Sequence, residues 1–96
     1  MAFAVGQYVW VPCEVKPGPF ADERMVQCNS PVGQWLGFVA TAGLRTPLPE
    51  GHSEVKAVVL DLIDGYLRLQ VLGAPLANTV YKDHSSRVSP VDPVQS

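Results

Sequence analysis

The sequence predicts an all-β fold: a small single-domain barrel of five or six bent antiparallel strands. Apolar residues recur with a period near two along most of the chain, and Val, Leu, Tyr and Trp are prominent among them, as expected on a pleated, half-buried surface. No window longer than about ten residues reads as an amphipathic helix without an interrupting Gly or Pro. A chain of 96 residues has room for one domain with a modest core.

Several segments carry the strand pattern, and the stretches between them are rich in Pro, Gly, Asn and Ser, which favour turns. The predicted strands are Gln7–Val15, Arg24–Cys28, Trp35–Thr41, Glu54–Ile63, Tyr66–Leu72 and Thr79–Lys82, with a short last strand at Arg87–Ser89. We expect residues 1–88 to form the barrel domain. Residues 89–96, SPVDPVQS, contain two prolines and are expected to be a loosely ordered tail.

The Asp64-Gly65 dipeptide between two apolar runs predicts a two-residue hairpin turn, with both residues in left-handed conformations. Ile63 then faces Tyr66, and the same register is expected to continue without interruption along both strands. One face of this hairpin is wholly aliphatic and is the expected core: Val58, Leu60, Leu62, Leu67, Leu69 and Val71. The other face is mixed: Ala57, Val59, Asp61, Ile63, Tyr66, Arg68, Gln70 and Leu72.

The N-terminal strand also alternates between two faces. The inward set is Val9, Val11, Cys13 and Val15, and the outward set is Tyr8, Trp10, Pro12 and Glu14. Folding back through KPGPFAD puts Val15 opposite Val26 on a shared inner face. The same register puts Cys13 opposite Cys28. We expect both cysteines to be buried thiols that pack as small hydrophobic groups and react poorly in the native protein, with a disulfide between them as the alternative.

The stretch GQWLGFVATAGL carries in order a Gly, an aromatic residue, Gly-aromatic-Val and a later Leu: Gly33, Trp35, Gly37, Phe38, Val39 and Leu44. This order resembles that of bacterial small barrels of the Src-homology-three-like type. The resemblance implies a wide loop before this stretch, and KPGPFADE stands there. The chain departs from the pattern in the longer Arg45–Ser53 insert and after Leu72. Between its bulky neighbours, Gly37 predicts a bulge or a strong bend.

Charge and composition argue against several classes of function. Seven Lys and Arg against nine Asp and Glu leave a formal charge of −2, so we expect no nucleic-acid partner. The apolar runs fall short of the roughly 20 residues that cross a bilayer, and the N-terminus lacks a signal-peptide pattern, so we expect a cytoplasmic protein without a membrane partner. The Cys and His spacings match no zinc site, and KDHSS fits a solvated turn better than a catalytic triad. We therefore predict no cofactor, no metal and no catalytic residue.

Two tryptophans bear on function. Trp35 is expected to close one end of the core, with a place in a ligand groove as the alternative. Trp10 stands beside Tyr8 on the strand face opposite the valines. Only the Arg45–Ser53 loop, the tail or another chain can cover it there.

These observations favour a non-enzymatic binding module that self-associates through an apolar aromatic face, most simply as a homodimer; a protein or peptide partner is also left open. The expected contact residues are Tyr8, Trp10, Trp35, Ile63, Tyr66 and Arg68. The alternative is a small enzyme or small-molecule-binding barrel whose site forms at a subunit interface. That alternative predicts a polar site lined by Gln34, His52, Arg68, Gln70 or His84.

Overall fold

The computed structural model describes residues 3–18, 21–45, 51–73 and 80–91, and this part of the chain is all-β. Six antiparallel strands form one nearly closed barrel, and a short seventh strand adds to it. The strands are β1 Tyr8–Pro17, β2 Glu23–Ser30, β3 Gly33–Ala40, β4 Gly51–Ile63, β5 Tyr66–Val71, β6 Val80–His84 and β7 Ser89–Pro90. The sheet order is β3-β2-β1-β4-β5-β6, and β7 pairs with β1. The predicted fold class is confirmed.

The strand ends differ from the predicted ones in a few places. β4 begins at Gly51 because its first residues pair with β1, as Val15 does with Gly51. Near the C-terminus, Ser85–Arg87 forms a short 3₁₀ helix and the last strand is Ser89–Pro90. Residues 46–50 of the predicted insert, Thr79 and tail residues 92–96 lie outside the described residues.

The β1–β2 hairpin has the predicted register. Val15 lies opposite Val26, and β1 pairs with β4 along its other edge. The inward set on these two strands is buried: Val9, Val11, Cys13, Val15, Val26 and Cys28. Both cysteines are free thiols. Because β1 has neighbours on both edges, its valines lie at the centre of the core.

The β4–β5 hairpin departs from the predicted register. Ile63 faces Tyr66 as expected, but Leu69 lies opposite Val59, because a bulge interrupts the ladder between Val59 and Asp61. In the turn itself only Gly65 has a positive φ, of 84°, so the prediction of two left-handed residues is wrong. Two-residue turns of types I and II match the right-handed twist of the flanking strands less well than types I′ and II′ do. A bulge increases the local right-handed twist, and we infer that it compensates here.

On the side of the bulge away from the turn, β4 buries the face that the predicted register had placed outside. A slip of one residue moves every side chain to the opposite face, so β4 buries Val55, Ala57 and Val59. The prediction of an inward Val58 and Leu60 is therefore wrong, and both are half-buried. Leu62 lies between the bulge and the turn and keeps its predicted partner Leu67, but it is 46% exposed rather than buried. On β5 the prediction holds, since the inward residues are Leu67, Leu69 and Val71.

The barrel closes where β3 approaches β6. The Ser30 hydroxyl donates a hydrogen bond to the Lys82 carbonyl oxygen at 2.6 Å. A Cβ atom at Gly33 would lie 3.3 Å from that same oxygen, so the absence of a side chain lets the two backbones approach. The bulge predicted at Gly37 is wrong, because the β2–β3 register runs without interruption and sets Gly37 opposite Val26.

Candidate functional site

Two large aliphatic or aromatic hydrocarbon side chains are exposed next to each other on the outer surface of the barrel at β3. Leu36 is 60% exposed and Phe38 is 50% exposed, whereas their neighbours Trp35 and Val39 are buried. Alternation along the strand therefore directs both large side chains into solvent. Met25 on β2 pairs with Phe38 and is half-buried. Gln27 on β2 pairs with Leu36 and completes the group. We call Met25, Gln27, Leu36 and Phe38 the β2–β3 outer face.

Two opposite charges border this face on the next strand. Glu14 of β1 pairs with Gln27, and Lys16 of β1 pairs with Met25. Both charged residues are exposed. The apolar centre at Leu36 and Phe38 thus has one anion and one cation along its β1 side.

Leu36 is not among the contact residues predicted from the sequence, and Phe38 is noted there only as part of the GQWLGFVATAGL motif. The signal was nevertheless present in WLGFV, since an inward Trp35 on a strand of period two places Leu36 and Phe38 on the outside. That inference needed the orientation of Trp35. A tryptophan on a short strand could face either way until the neighbouring strands were placed.

Trp10, one of the predicted contact residues, is partly covered by its own chain. The Arg45 guanidinium and the Lys56 ammonium each lie 5.7 Å from the centre of its ring, within the range of cation–π attraction. Arg45 also forms an ion pair with Glu54. Trp10 is half-buried and its neighbour Tyr8 is 55% exposed.

The other predicted contact residues lie elsewhere. Trp35 is 5% exposed and belongs to the core rather than to a groove. Ile63 and Tyr66 are half-buried at the end of the β4–β5 hairpin, where the Tyr66 ring meets His84 edge-on at 6.2 Å. Arg68 is 3.8 Å from Asp61 on the outer surface. The structure thus separates the six residues into a β1 pair, a hairpin group and a core tryptophan.

A buried carboxylate lies at the end of β6. Asp83 is 0% exposed. It accepts hydrogen bonds from the Tyr81 hydroxyl at 3.1 Å and from the His84 backbone N–H at 2.7 Å. The Arg87 Nε lies 3.4 Å from the same carboxylate. Burial is the largest influence on this group and raises the pKa of Asp83 above its ordinary value, although these partners oppose the rise.

Two neighbouring groups also hold their protons more tightly than usual. Burial is the first cause that raises the pKa of the Tyr81 phenol, and the negative charge of Asp83 adds to it. Contact with Cys13 is the first cause that raises the pKa of the Cys28 thiol, followed by burial. The interior near Asp83 therefore contains neutral Tyr81 and Cys28 side chains at neutral pH.

A surface pocket of about 180 Å³ opens beside these groups. Its walls are Pro12, Cys13, Glu14, Gln27, Asn29, His52 and Arg87. Of the polar residues expected for an interface enzyme, His52 lines this pocket. Arg68 and Gln70 belong to β5 and His84 to β6. Gln34 belongs to β3, so the five residues come from four different strands.

Comparisons with known proteins add no relative. The chain matches no protein-family model, no curated protein and no solved structure. Within residues 3–18, 21–45, 51–73 and 80–91, no helix has the length and apolar character to cross a membrane. The same described ranges contain no group of three or more His, Cys, Asp or Glu side chains that could hold a metal ion.

Proposed function

We propose that the protein is a small non-enzymatic binding barrel that self-associates through the β2–β3 outer face. The observation that carries this proposal is the exposure of Leu36 and Phe38, 60% and 50%, side by side on one strand. Adjacent exposed apolar side chains rimmed by polar residues are typical of interaction surfaces. A second copy of the chain is the partner that we propose, because homo-oligomers with two-fold symmetry are the commonest assemblies.

The energetics favour a weak dimer. Burying the exposed halves of one leucine and one phenylalanine contributes roughly 2–3 kcal/mol, so the two copies together contribute roughly 5 kcal/mol. Association costs at least about 4 kcal/mol in lost translational and rotational freedom. The two amounts nearly cancel. We therefore expect dimers mainly at high protein concentration.

The charges beside the apolar centre suit a two-fold contact. A two-fold axis that lies between the two faces and runs perpendicular to the strands would set β1 of one copy antiparallel to β1 of the other. Glu14 of each copy would then meet Lys16 of its partner. Such rim pairs contribute little to affinity but disfavour other orientations.

The architecture also supports a likeness to small barrels of the Src-homology-three-like type. The nearly closed antiparallel barrel agrees with their general shape, and the Gly33–Leu44 stretch carries the residue order described above. Two free buried thiols are what a reducing compartment leaves in a protein, and this supports a place in the cytoplasm. Both assignments are parts of the proposal.

We prefer the β2–β3 outer face to the aromatic face predicted from sequence. Trp10 already has two cations against its ring, so its burial in a dimer would expel less water than an open indole. The Arg68–Asp61 ion pair occupies the hairpin surface that leads towards Ile63 and Tyr66. The apolar centre on β3 has no such charge on its own strand, whose sequence is GQWLGFVA.

Sedimentation velocity over a concentration series up to about 1 mM, the range set by weak affinities, tests the proposal. We expect the wild type to shift towards dimer and Leu36→Gln/Phe38→Gln to remain monomeric. Leu62→Gln is the matched control, since Leu62 is exposed to a similar degree at another place, and it should behave as the wild type. A monomeric wild type would overturn self-association. If Trp10→Glu prevents association and the double variant does not, the contact is the aromatic face and our choice of surface is wrong.

A further inference from the structure

Cys13 and Cys28 lie side by side at the point where β1 and β2 separate. The last pair of that ladder is Glu14 with Gln27, so the two cysteines occupy the next opposed positions. Both side chains belong to the same buried core cluster. Opposed residues on antiparallel strands have Cα atoms about 4.5–5.5 Å apart, within the range that a disulfide spans.

A gap in the sheet lies beside one of these two cysteines. β2 pairs with β1 from Glu14 onwards, and β7 pairs with Val9 and Trp10. Among the described residues, β1 positions 11–13 have no strand partner on this edge. The 180 Å³ pocket includes Cys13 in its wall and does not include Cys28. Small reagents therefore reach Cys13 first.

We propose that Cys13 and Cys28 form a redox-active dithiol, which hydrogen peroxide entering the pocket oxidises to a cross-strand disulfide. Two adjacent thiols can be oxidised to a disulfide by way of a sulfenic acid, so redox chemistry is a use that this pair supports. For Cys13 this proposal replaces the expectation of poor reactivity. Burial of both thiols is as the sequence predicts, but alternation along a strand cannot reveal the pocket.

The reaction has two balanced steps. The Cys13 thiolate attacks one peroxide oxygen, a sulfur–oxygen bond forms, the oxygen–oxygen bond breaks and the departing hydroxide takes up a proton to become water. The Cys28 sulfur then attacks the Cys13 sulfenic acid, the disulfide forms, the sulfur–oxygen bond breaks and a second water leaves. The thiols together lose two protons and two electrons, and the peroxide is reduced to two waters.

The environment of Cys28 sets the order of these steps. Its contact with Cys13 is the first cause that raises the pKa of the Cys28 thiol, and the charge of Cys13 adds to the same effect. Cys28 is 0% exposed, whereas Cys13 contributes to the pocket wall. Cys28 therefore acts second, on the oxidised Cys13 sulfur beside it.

The first test uses the reduced full-length chain with equimolar hydrogen peroxide. We expect both thiols to disappear together and the monomer to become two hydrogen atoms lighter by intact mass, with both changes reversed by dithiothreitol. Two thiols that survive conditions under which glutathione is fully oxidised would overturn the proposal. Disulfides that form only between two chains would also overturn the proposal.

A pair of matched variants tests the assigned order. Cys28→Ser leaves Cys13 without a partner sulfur, so dimedone should trap its sulfenic acid. The control Cys13→Ser should be trapped at least roughly tenfold more slowly, because Cys28 lies behind the pocket wall. Equal trapping of the two variants would contradict the order. Far-ultraviolet circular dichroism checks that each variant is folded, and if either is not, the wild-type experiment decides alone.

Discussion

Leu69 of β5 lies opposite Val59 of β4, and the bulge between Val59 and Asp61 separates this pair from the turn-proximal pair Asp61–Arg68. An uninterrupted hairpin would instead set Leu69 opposite Leu60. This one-residue difference decides which face of β4 meets the core, because side chains alternate along a strand. It places Val59 inside, where an uninterrupted hairpin would have placed Val58 and Leu60.

Two leucine substitutions of identical chemistry should have unequal effects. Leu69 is 0% exposed, so Leu69→Ala should lower the free energy of unfolding by roughly 2–5 kcal/mol. Leu62 is 46% exposed, so Leu62→Ala should cost less than about 1 kcal/mol. Urea unfolding measures both values. Equal losses would contradict the different burial of these two leucines.

The β4–β5 turn requires a left-handed residue at one position. Gly65 has a φ of 84° and nothing near its missing Cβ, so only backbone strain opposes a side chain there. Gly65→Val should lower the free energy of unfolding by at least about 1 kcal/mol. Gly65→Asn should cost less, because Asn tolerates this region better. Thermal unfolding of the two variants tests the turn, and a wild-type melting temperature for Gly65→Val would contradict it.

Asp83 should make stability depend on pH. Burial raises the pKa of its carboxyl above 3.8 in the folded protein, so the folded state keeps a proton that the unfolded state has released. The resulting stabilisation is complete below the unfolded pKa and is lost as pH rises through the folded one. Asp83→Asn does not titrate at this position. From about pH 3 upwards, the free energy of unfolding of the wild type should therefore fall relative to that of Asp83→Asn until Asp83 is ionised.

Urea unfolding of both proteins at several pH values gives this difference directly. Comparing the two proteins cancels the other carboxyl groups, which both share. The groups that act on Asp83 are Tyr81, His84, Arg87 and Cys28, and all four are retained in the variant. A difference that stays constant with pH would show that Asp83 has its ordinary pKa in the folded protein.

Local pattern was sufficient to predict much of the fold. Alternation gave the inward valines of β1, and the turn at Gly65 gave the pairing of Ile63 with Tyr66. The bulge could not be predicted, because both faces of β4 are largely apolar and either register buries hydrophobic residues.

The candidate site was harder to predict than the fold. Trp10 was correctly placed outside, but the cations at its ring come from Arg45 and Lys56, and only Lys56 is its direct strand partner. The exposure of Leu36 depends on how β3 packs between β2 and β6. Contacts between segments that are distant along the chain decide both features, and local periodicity does not encode them.

Isotope-filtered nuclear Overhauser spectra of a mixture of labelled and unlabelled chains most directly test self-association through the β2–β3 outer face. In a concentrated sample, contacts seen only between differently labelled copies report the dimer surface. We predict such contacts from the Phe38 ring to the Leu36 and Met25 methyl groups of the other copy, and we predict that they disappear in Leu36→Gln/Phe38→Gln. Contacts confined to Tyr8 and Trp10, or no intermolecular contact at about 1 mM, would contradict the proposal.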